Sequence, residues 1–154
     1  QYVDFTTLNN VVYAYFSSSN ITTGTNLYLN NGAGYELLEH VVFDNSITSI
    51  PDYAFKGLSI KSVVIPESVT SIGMYAFSDC YQLTSVTLPS GIEISNYALL
   101  SDGINTLICG EIPPVFATDT GLTPYCINLY IPSNAVDAYR NHYIYSKMNI
   151  IPID

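Results

Sequence analysis

The chain has 154 residues, which is enough for one ordinary domain or one array of repeats. Hydrophobic residues make up 48% of it and charged residues only 11%, and this composition excludes an intrinsically disordered chain. Four Lys and Arg residues against thirteen Asp and Glu residues give a net charge of −9, which excludes nucleic acid and anionic membrane surfaces as partners.

Residues 1–37 do not follow the period that begins at Leu38, and we predict that they form a partial repeat and a capping insertion. The segment "VVYAYF" is interpreted as the tail of an earlier unit, because Tyr13-Ala14-Tyr15 resembles the later Tyr53-Ala54-Phe55. The residues that follow predict an inserted strand with a turn at Asn30-Asn31-Gly32. Such an insertion would protect the open edge of a sheet from pairing with another chain.

From Leu38 onward, one short apolar pattern recurs as "LEHVVF", "IKSVVIP", "LTSVTLP", "INTLICG" and "INLYIP". Their third apolar anchors are 22, 23, 21 and 22 residues apart, at Phe43, Ile65, Leu88, Cys109 and Ile131. Alternating apolar residues and frequent β-branching predict that each segment is a short strand with its anchors facing inward. One unit cannot bury its own apolar face, so we predict stacked units whose strands join into a parallel sheet.

The second half of each unit repeats as well over residues 38–103. "SVTSI" predicts a second short extended segment, and "YAF" with its polar neighbours predicts one helical turn or less. The repeated alanines are expected at a tight bend, and the residues that follow them are expected to fill the core: Ala54, Ala76, Ala98, and Phe55, Phe77, Leu99. The tyrosines before them are predicted to stack in a column on the rim, with hydroxyls toward solvent: Tyr53, Tyr75 and Tyr97.

The segments "LTSVTLP" and "SVTSIGMYAFSDCYQL" resemble the BspA-like leucine-rich repeats of bacterial surface proteins. The resemblance covers roughly residues 38–131, and it implies a β-rich leucine-rich-repeat solenoid with one short parallel strand per ~22-residue repeat and short helical or irregular returns. The sequence from Ile127 resembles the C-terminal cap of such chains, in which a strand ending in proline precedes a helix. We therefore divide the chain into residues 1–37, about four repeats over 38–126, and a strand and helical cap over 127–154.

The three cysteines, Cys80, Cys109 and Cys126, are an odd number, so they cannot form a complete disulfide framework. The simplest prediction is that each is a small buried hydrophobic residue. At most one pair is expected to be bridged, and Cys109–Cys126 is the candidate.

The sequence contains no Gly-x-Ser-x-Gly elbow, no phosphate-binding loop and no HExxH motif. His40 beside Glu39 is the one general-base pair to consider, but neighbouring strand residues point to opposite faces. Aspartates scattered among the turns, such as Asp44, suit turn capping better than calcium binding. We therefore predict no catalytic residue, no cofactor and no metal site; a hydrolase that uses Glu36 or Asp44 is the alternative that would make the chain an enzyme.

The outward side of the predicted strands is the candidate binding face. Inward anchors at Leu38, Val41 and Phe43 place His40 and Val42 outward, and the period carries this choice along the array. The predicted polar column is His40, Ser62, Ser85, Thr106 and Asn128, and the predicted β-branched or aromatic column is Val42, Val64, Thr87, Ile108 and Tyr130. A flat, regular face of this kind is where repeat proteins bind partners.

The function that these features indicate is a non-enzymatic surface module for binding or adhesion, whose partner is a protein or glycan on a host or neighbouring cell. The alternative is a structural spacer or C-terminal module of a larger surface protein without a ligand of its own. No apolar run approaches the ~20 residues of a membrane helix, so no direct insertion into a membrane is expected. The resemblance implies an extracellular or cell-surface location, with any signal or lipoprotein anchor already removed.

Overall fold

The structure, a computed structural model, describes residues 4–8, 11–16 and 38–154. Within these ranges the chain forms twelve strands, which are β1 (Asp4–Leu8), β2 (Val11–Phe16), β3 (Leu38–Phe43), β4 (Ser49–Ile50), β5 (Ser62–Val64), β6 (Ser71–Ile72), β7 (Ser85–Leu88), β8 (Glu93–Ile94), β9 (Thr106–Cys109), β10 (Val115–Phe116), β11 (Asn128–Pro132) and β12 (Asn149–Ile153). The helical elements of the same ranges are α1 (Val136–Arg140) and short 3₁₀ helices at Pro124–Cys126, Ser133–Ala135 and Tyr145–Lys147.

The longer strands form one sheet of eight, in the order β1-β2-β3-β5-β7-β9-β11-β12. β1 and β2 are antiparallel, and every later neighbouring pair in this sheet is parallel. Residues at the same place in successive units pair directly: Ser62 of β5 lies opposite Ser85 of β7, which lies opposite Thr106 of β9. The predicted parallel sheet with one short strand per unit is confirmed.

The two-residue strands form a second parallel sheet, in the order β10-β8-β6-β4. They are the second extended segments that the repeat predicted. One buried isoleucine from each of β4, β6 and β8 joins the inward valines and leucines of the large sheet in a single hydrophobic cluster. The core therefore lies between the two sheets, and each added unit extends it by one layer.

The Tyr-Ala-aromatic segments form the bends that lead from the small sheet back to the large one. Tyr53, Tyr75 and Tyr97 have φ angles of 61°, 56° and 57°, in the left-handed region that costs an L-residue about 1–2 kcal/mol. Their rings stack, with centroids 5.3 Å apart for Tyr53 and Tyr75 and 5.1 Å apart for Tyr75 and Tyr97. The predicted tyrosine column is confirmed, and its stacking offsets part of the backbone strain.

The residues after these tyrosines fill the core, as predicted. Ala54, Ala76 and Ala98 are completely buried, and so are Phe55, Phe77 and Leu99. The rings of Phe55 and Phe77 stack with centroids 5.2 Å apart. Alanine suits the bend because a larger side chain would displace this layer.

Backbone hydrogen bonds tie each bend to the next unit. The amides of Phe55 and Phe77 each donate to the carbonyl of the following unit's alanine at 2.8 Å. Two residues further along each bend, the amide of Gly57 donates to the carbonyl of Ser78 at 2.8 Å, and the amide of Asp79 donates to the carbonyl of Leu100 at 2.9 Å. These backbone amides and carbonyls of the bends are therefore paired although no regular sheet passes through them.

The residues after β11 form a cap that contains a short helix, as the resemblance implied. Tyr139 of α1 donates its hydroxyl to the carbonyl of Gly110 at 2.8 Å, and Tyr145 donates to the carbonyl of Pro114 at 2.6 Å. Burial raises the pKa of both hydroxyl groups, so they stay protonated and remain donors. The two tyrosines thus fasten the cap to the irregular segment between β9 and β10.

The interpretation of "VVYAYF" as the tail of an earlier unit, which rested on the likeness of Tyr13-Ala14-Tyr15 to Tyr53-Ala54-Phe55, is wrong. Residues 13–15 lie within β2 and pair with His40, Val41 and Val42 of β3, so they occupy a strand of the large sheet. Alternating aromatic residues suit a strand as well as a bend, and the short sequence likeness could not separate the two.

Other features of the N-terminal region stay as predictions. The inserted strand and the turn at Asn30-Asn31-Gly32 lie outside the described residues, as does Glu36. The division into 1–37, 38–126 and 127–154 also remains a prediction.

Cys80 and Cys109 are buried free thiols, so the candidate Cys109–Cys126 bridge is wrong. The thiol of Cys80 donates to the carbonyl of Phe55 at 3.1 Å. Burial raises the pKa of Cys80 and of Cys109 to about 12 from 9.0. Both thiols therefore stay protonated at neutral pH and behave as core residues.

Alkylation tests this protection in a Cys126→Ser variant, which leaves only the two buried thiols. Because the thiolate is the reactive form, the raised pKa lowers its fraction at pH 8 about a thousandfold relative to an exposed thiol. We expect iodoacetamide to leave both cysteines unmodified in the native chain and to modify both in urea, as read by mass spectrometry. Rapid modification of the folded chain would contradict the burial of these residues.

Candidate functional site

The large sheet brings the ten residues of the predicted binding face into two columns. His40, Ser62, Ser85, Thr106 and Asn128 pair in this order across β3, β5, β7, β9 and β11. Val64, Thr87, Ile108 and Tyr130 pair in the same way, and Val42 lies on β3 two residues after His40. We call these ten residues the outward face.

The outward face is accessible because the strands alternate regularly. The inward neighbours Val63, Val86 and Leu107 are buried in the core. Val64, which follows Val63 in β5, is 62% exposed, Val42 is 37% exposed, and the other residues of the outward face are partly exposed. The side chain of Val64 therefore presents apolar surface to solvent that the core does not use.

The final strand extends both columns by one position that the sequence reasoning missed. Asn149 and Ile151 of β12 pair with Asn128 and Tyr130 of β11. The side-chain amide of Asn149 donates to the side-chain oxygen of Asn128 at 2.8 Å, which continues the polar column. The segment "NIIPI" carries the same strand-then-proline signal as "INLYIP", and that signal could have revealed it.

His40 is the one histidine in the two columns, which contain no Asp, Glu, Lys or Arg residue. Its Nδ1 lies 3.4 Å from the hydroxyl oxygen of Ser62, the next residue in the polar column. At the border of the face, Lys61 donates to the carboxylate of Glu39 at 2.7 Å, and this pair neutralises itself. The outward face therefore offers hydroxyls, amides and apolar groups rather than net charge.

The structure separates the two residues considered as a general-base pair. The pairing of β2 with β3 skips Glu39, which forms a bulge, and its carboxylate binds Lys61 instead of His40. Each of the two side chains thus contacts the following unit, at Lys61 and Ser62. The Glu39 carboxylate and the His40 Nδ1 therefore have partners in the next unit, and neither of these contacts joins the two residues as a general-base pair.

Two aspartates of the turns, Asp44 and Asp52, cap backbone amides. Asp44 accepts from the amide of Ser46 at 2.8 Å, and Asp52 accepts from the amide of Met74 at 2.7 Å. Across residues 4–8, 11–16 and 38–154, no group of three or more His, Cys, Asp or Glu residues is placed to hold a metal ion. Turn capping, the simpler prediction for these carboxylates, is the role that the hydrogen bonds give them.

Two stacked parallel sheets, one strand of each per unit, and bends bonded from unit to unit define a β-rich repeat solenoid. The chain matches the BspA type leucine rich repeat region in six copies over residues 6–112, and it therefore belongs to this leucine-rich repeat family. The match begins well before Leu38, consistent with the parallel pairing of β2 with β3. Membership indicates a protein-binding or structural role in a family that is typically non-enzymatic and surface-associated.

No curated protein and no solved structure matches the chain significantly. In the part of the chain that the structure describes, none of the helices has the length and apolar character needed to cross a membrane.

Proposed function

We propose that the chain is a non-enzymatic binding and adhesion module, secreted or held at the cell surface, which contacts a protein or glycan on a host or neighbouring cell through its outward face. The observation that carries this proposal is that the two columns cross the large sheet and contain no Asp, Glu, Lys or Arg residue. Repeat proteins commonly bind partners on such extended, regular surfaces.

The apolar column supplies the contact area in this proposal. Val64 is 62% exposed although its neighbours Val63 and Ile65 are buried. A bound partner would cover this exposed apolar side chain. The polar column beside it supplies hydroxyl and amide groups that fix the register of the bound surface. Contacts of this kind depend little on ionic strength, because few of them join full charges.

The test is a double variant, Val64→Asp with Ile108→Asp, in pull-downs and glycan arrays with host matrix proteins and mucosal sugars. Two carboxylates on the apolar column must lose their hydration if a partner covers them, so we expect binding to fall at least about tenfold. The control is Ile112→Asp with Val115→Asp, two residues that are 61% and 58% exposed and lie outside the columns. The control variant is expected to bind as the parent does.

Reproducible binding that the Val64 and Ile108 variant leaves unchanged would contradict the assignment of the outward face. So would the absence of any reproducible protein or glycan partner. Thermal unfolding of both variants shows whether a loss of binding reflects a loss of fold, and this control matters most for Ile108, which is only partly exposed.

The alternative is a structural spacer that projects another part of a longer protein. The observation that favours it is that outward valine and threonine residues suit strands even where nothing binds them. On this alternative, the double variant behaves as the parent does in every cell-based assay. The same pair of variants therefore separates the two functions.

A further inference from the structure

A cleft of about 360 Å³ lies in the bends beside the tyrosine column, away from the residues of the outward face. Lys56, Gly57, Asp79 and Tyr81 line it. The first two residues follow the bend after β4, and the other two follow the equivalent bend after β6. The cleft therefore lies between two neighbouring units of the array.

The polar groups of the cleft are held in place by one another. The ammonium of Lys56 lies 3.4 Å from the carboxylate of Asp79 and 5.5 Å from the ring centroid of Tyr75. The hydroxyl of Tyr81 donates to the other carboxylate oxygen of Asp79 at 3.4 Å. A cationic donor and an anionic acceptor thus converge on one opening, and their charges cancel.

The repeat departs from its period at this place. The segment from Ala76 to Ser85 is one residue longer than the equivalent segments of the units before and after it, which run from Ala54 to Ser62 and from Ala98 to Thr106. The additional residue falls at Tyr81-Gln82, between the buried residues Cys80 and Leu83. It allows Tyr81 to project from the array, and its side chain is 71% exposed.

We propose that this cleft binds a neutral saccharide of one or two rings. The exposed ring of Tyr81 offers a flat apolar face to the C–H face of a pyranose, while Lys56 donates to and Asp79 accepts from the sugar hydroxyls. The volume lies at the small end of the range for ligand sites. The cleft shares no residue with the outward face, so this site is additional to the proposed adhesion surface.

The electrostatics of the cleft favour a neutral ligand over an ionic one. An anionic sugar would meet one cation that Asp79 already neutralises, on a chain whose net charge is −9. A cationic ligand would have to displace Lys56 from both Asp79 and the rings of Tyr53 and Tyr75. Neutral hydroxyl groups can use the donor and the acceptor without breaking this arrangement.

The test is an NMR titration of the full chain with glucose, galactose and mannose and with neutral disaccharides of these sugars. We expect at least one of them to shift the amide signals of Gly57 and Asp79 in a saturable way. Tyr81→Ala should weaken this binding about tenfold by removing the stacking face. Asp79→Asn should weaken it as well, and it keeps the fold because asparagine tolerates the φ of 59° found at Asp79.

Tyr125→Ala is the matched control. Tyr125 is 75% exposed and has Lys147 5.9 Å from its ring centroid, but neither residue lines the cleft. This variant, and the Val64→Asp with Ile108→Asp variant of the outward face, should bind the saccharide as the parent does. The second of these results separates the saccharide site from the adhesion surface.

Two outcomes would overturn the proposal: no saturable shift with any neutral sugar, or unchanged binding by Tyr81→Ala. Thermal unfolding of each variant accompanies the titration, because a lost signal counts only where the variant is folded.

Discussion

Phe77→Ala is expected to lower the free energy of unfolding by about 3–5 kcal/mol. Phe77 is completely buried, and its ring stacks on that of Phe55 at 5.2 Å in the middle of the array. The bend that carries it is bonded to the next unit through the amide of Phe77 and the carbonyl of Ala98. These bonds hold the layers apart, so the cavity cannot close by a shift of one unit toward the other.

Urea unfolding followed by circular dichroism measures this loss. For a chain of this length it corresponds to a fall in Tm of roughly 10 °C. Tyr125→Ala, at an exposed aromatic position, is the control and is expected to change stability by less than about 0.5 kcal/mol. A loss of under about 1 kcal/mol for Phe77→Ala would show that the phenylalanine layer does not carry the core.

Tyr145 of the cap gives the second large expected effect. Its side chain is completely buried, it contacts Tyr139 and Phe116 through their rings, and its hydroxyl donates to the carbonyl of Pro114 at 2.6 Å. Tyr145→Ala removes both the packing and the hydrogen bond and should cost about 3–5 kcal/mol. Tyr145→Phe keeps the ring but leaves the Pro114 carbonyl without this donor, and should cost about 1–3 kcal/mol.

The comparison of the two variants separates packing from hydrogen bonding. Hydrogen exchange shows which part of the array opens when the cap is weakened. In a stacked array each unit is stabilised mainly by its neighbours, so the units next to the cap should open first. We expect faster exchange in β9, β11 and β12 than in β3 and β5. Uniform acceleration through every strand would instead indicate that the array unfolds as a single cooperative block.

The array could be predicted from the sequence because the positions of the apolar residues show both the period of the repeat and the alternation within each strand. The spacing of Phe43, Ile65 and Leu88 determines which residues become neighbours, and the period of two within a strand determines which of them face outward. The two columns of the outward face follow from the repeat spacing and the strand period alone. Their register in the large sheet agrees at each paired position.

Features outside the period could not be predicted in this way. β1 pairs antiparallel with β2, unlike the other neighbouring strands of the large sheet, so the repeat pattern gives no guide to it. The left-handed conformation of Tyr53, Tyr75 and Tyr97 has no local signal, because tyrosine is not a residue that favours positive φ. The cleft depends on how Lys56, Asp79 and Tyr81 converge, and only the side-chain geometry of adjacent units shows this.

The hydrogen bonds that join each bend to the next unit have a consequence for how such a chain can change in length. An insertion inside a bend would put Phe55 or Phe77 out of register with its partner carbonyl in the following unit, and the mismatch would affect two layers at once. Duplication of a whole unit creates no mismatch, because the new unit meets the same neighbours as the old one. Gene duplication can therefore alter the distance that the molecule spans in fixed increments, while single-residue changes are confined to surface loops such as the one at Tyr81.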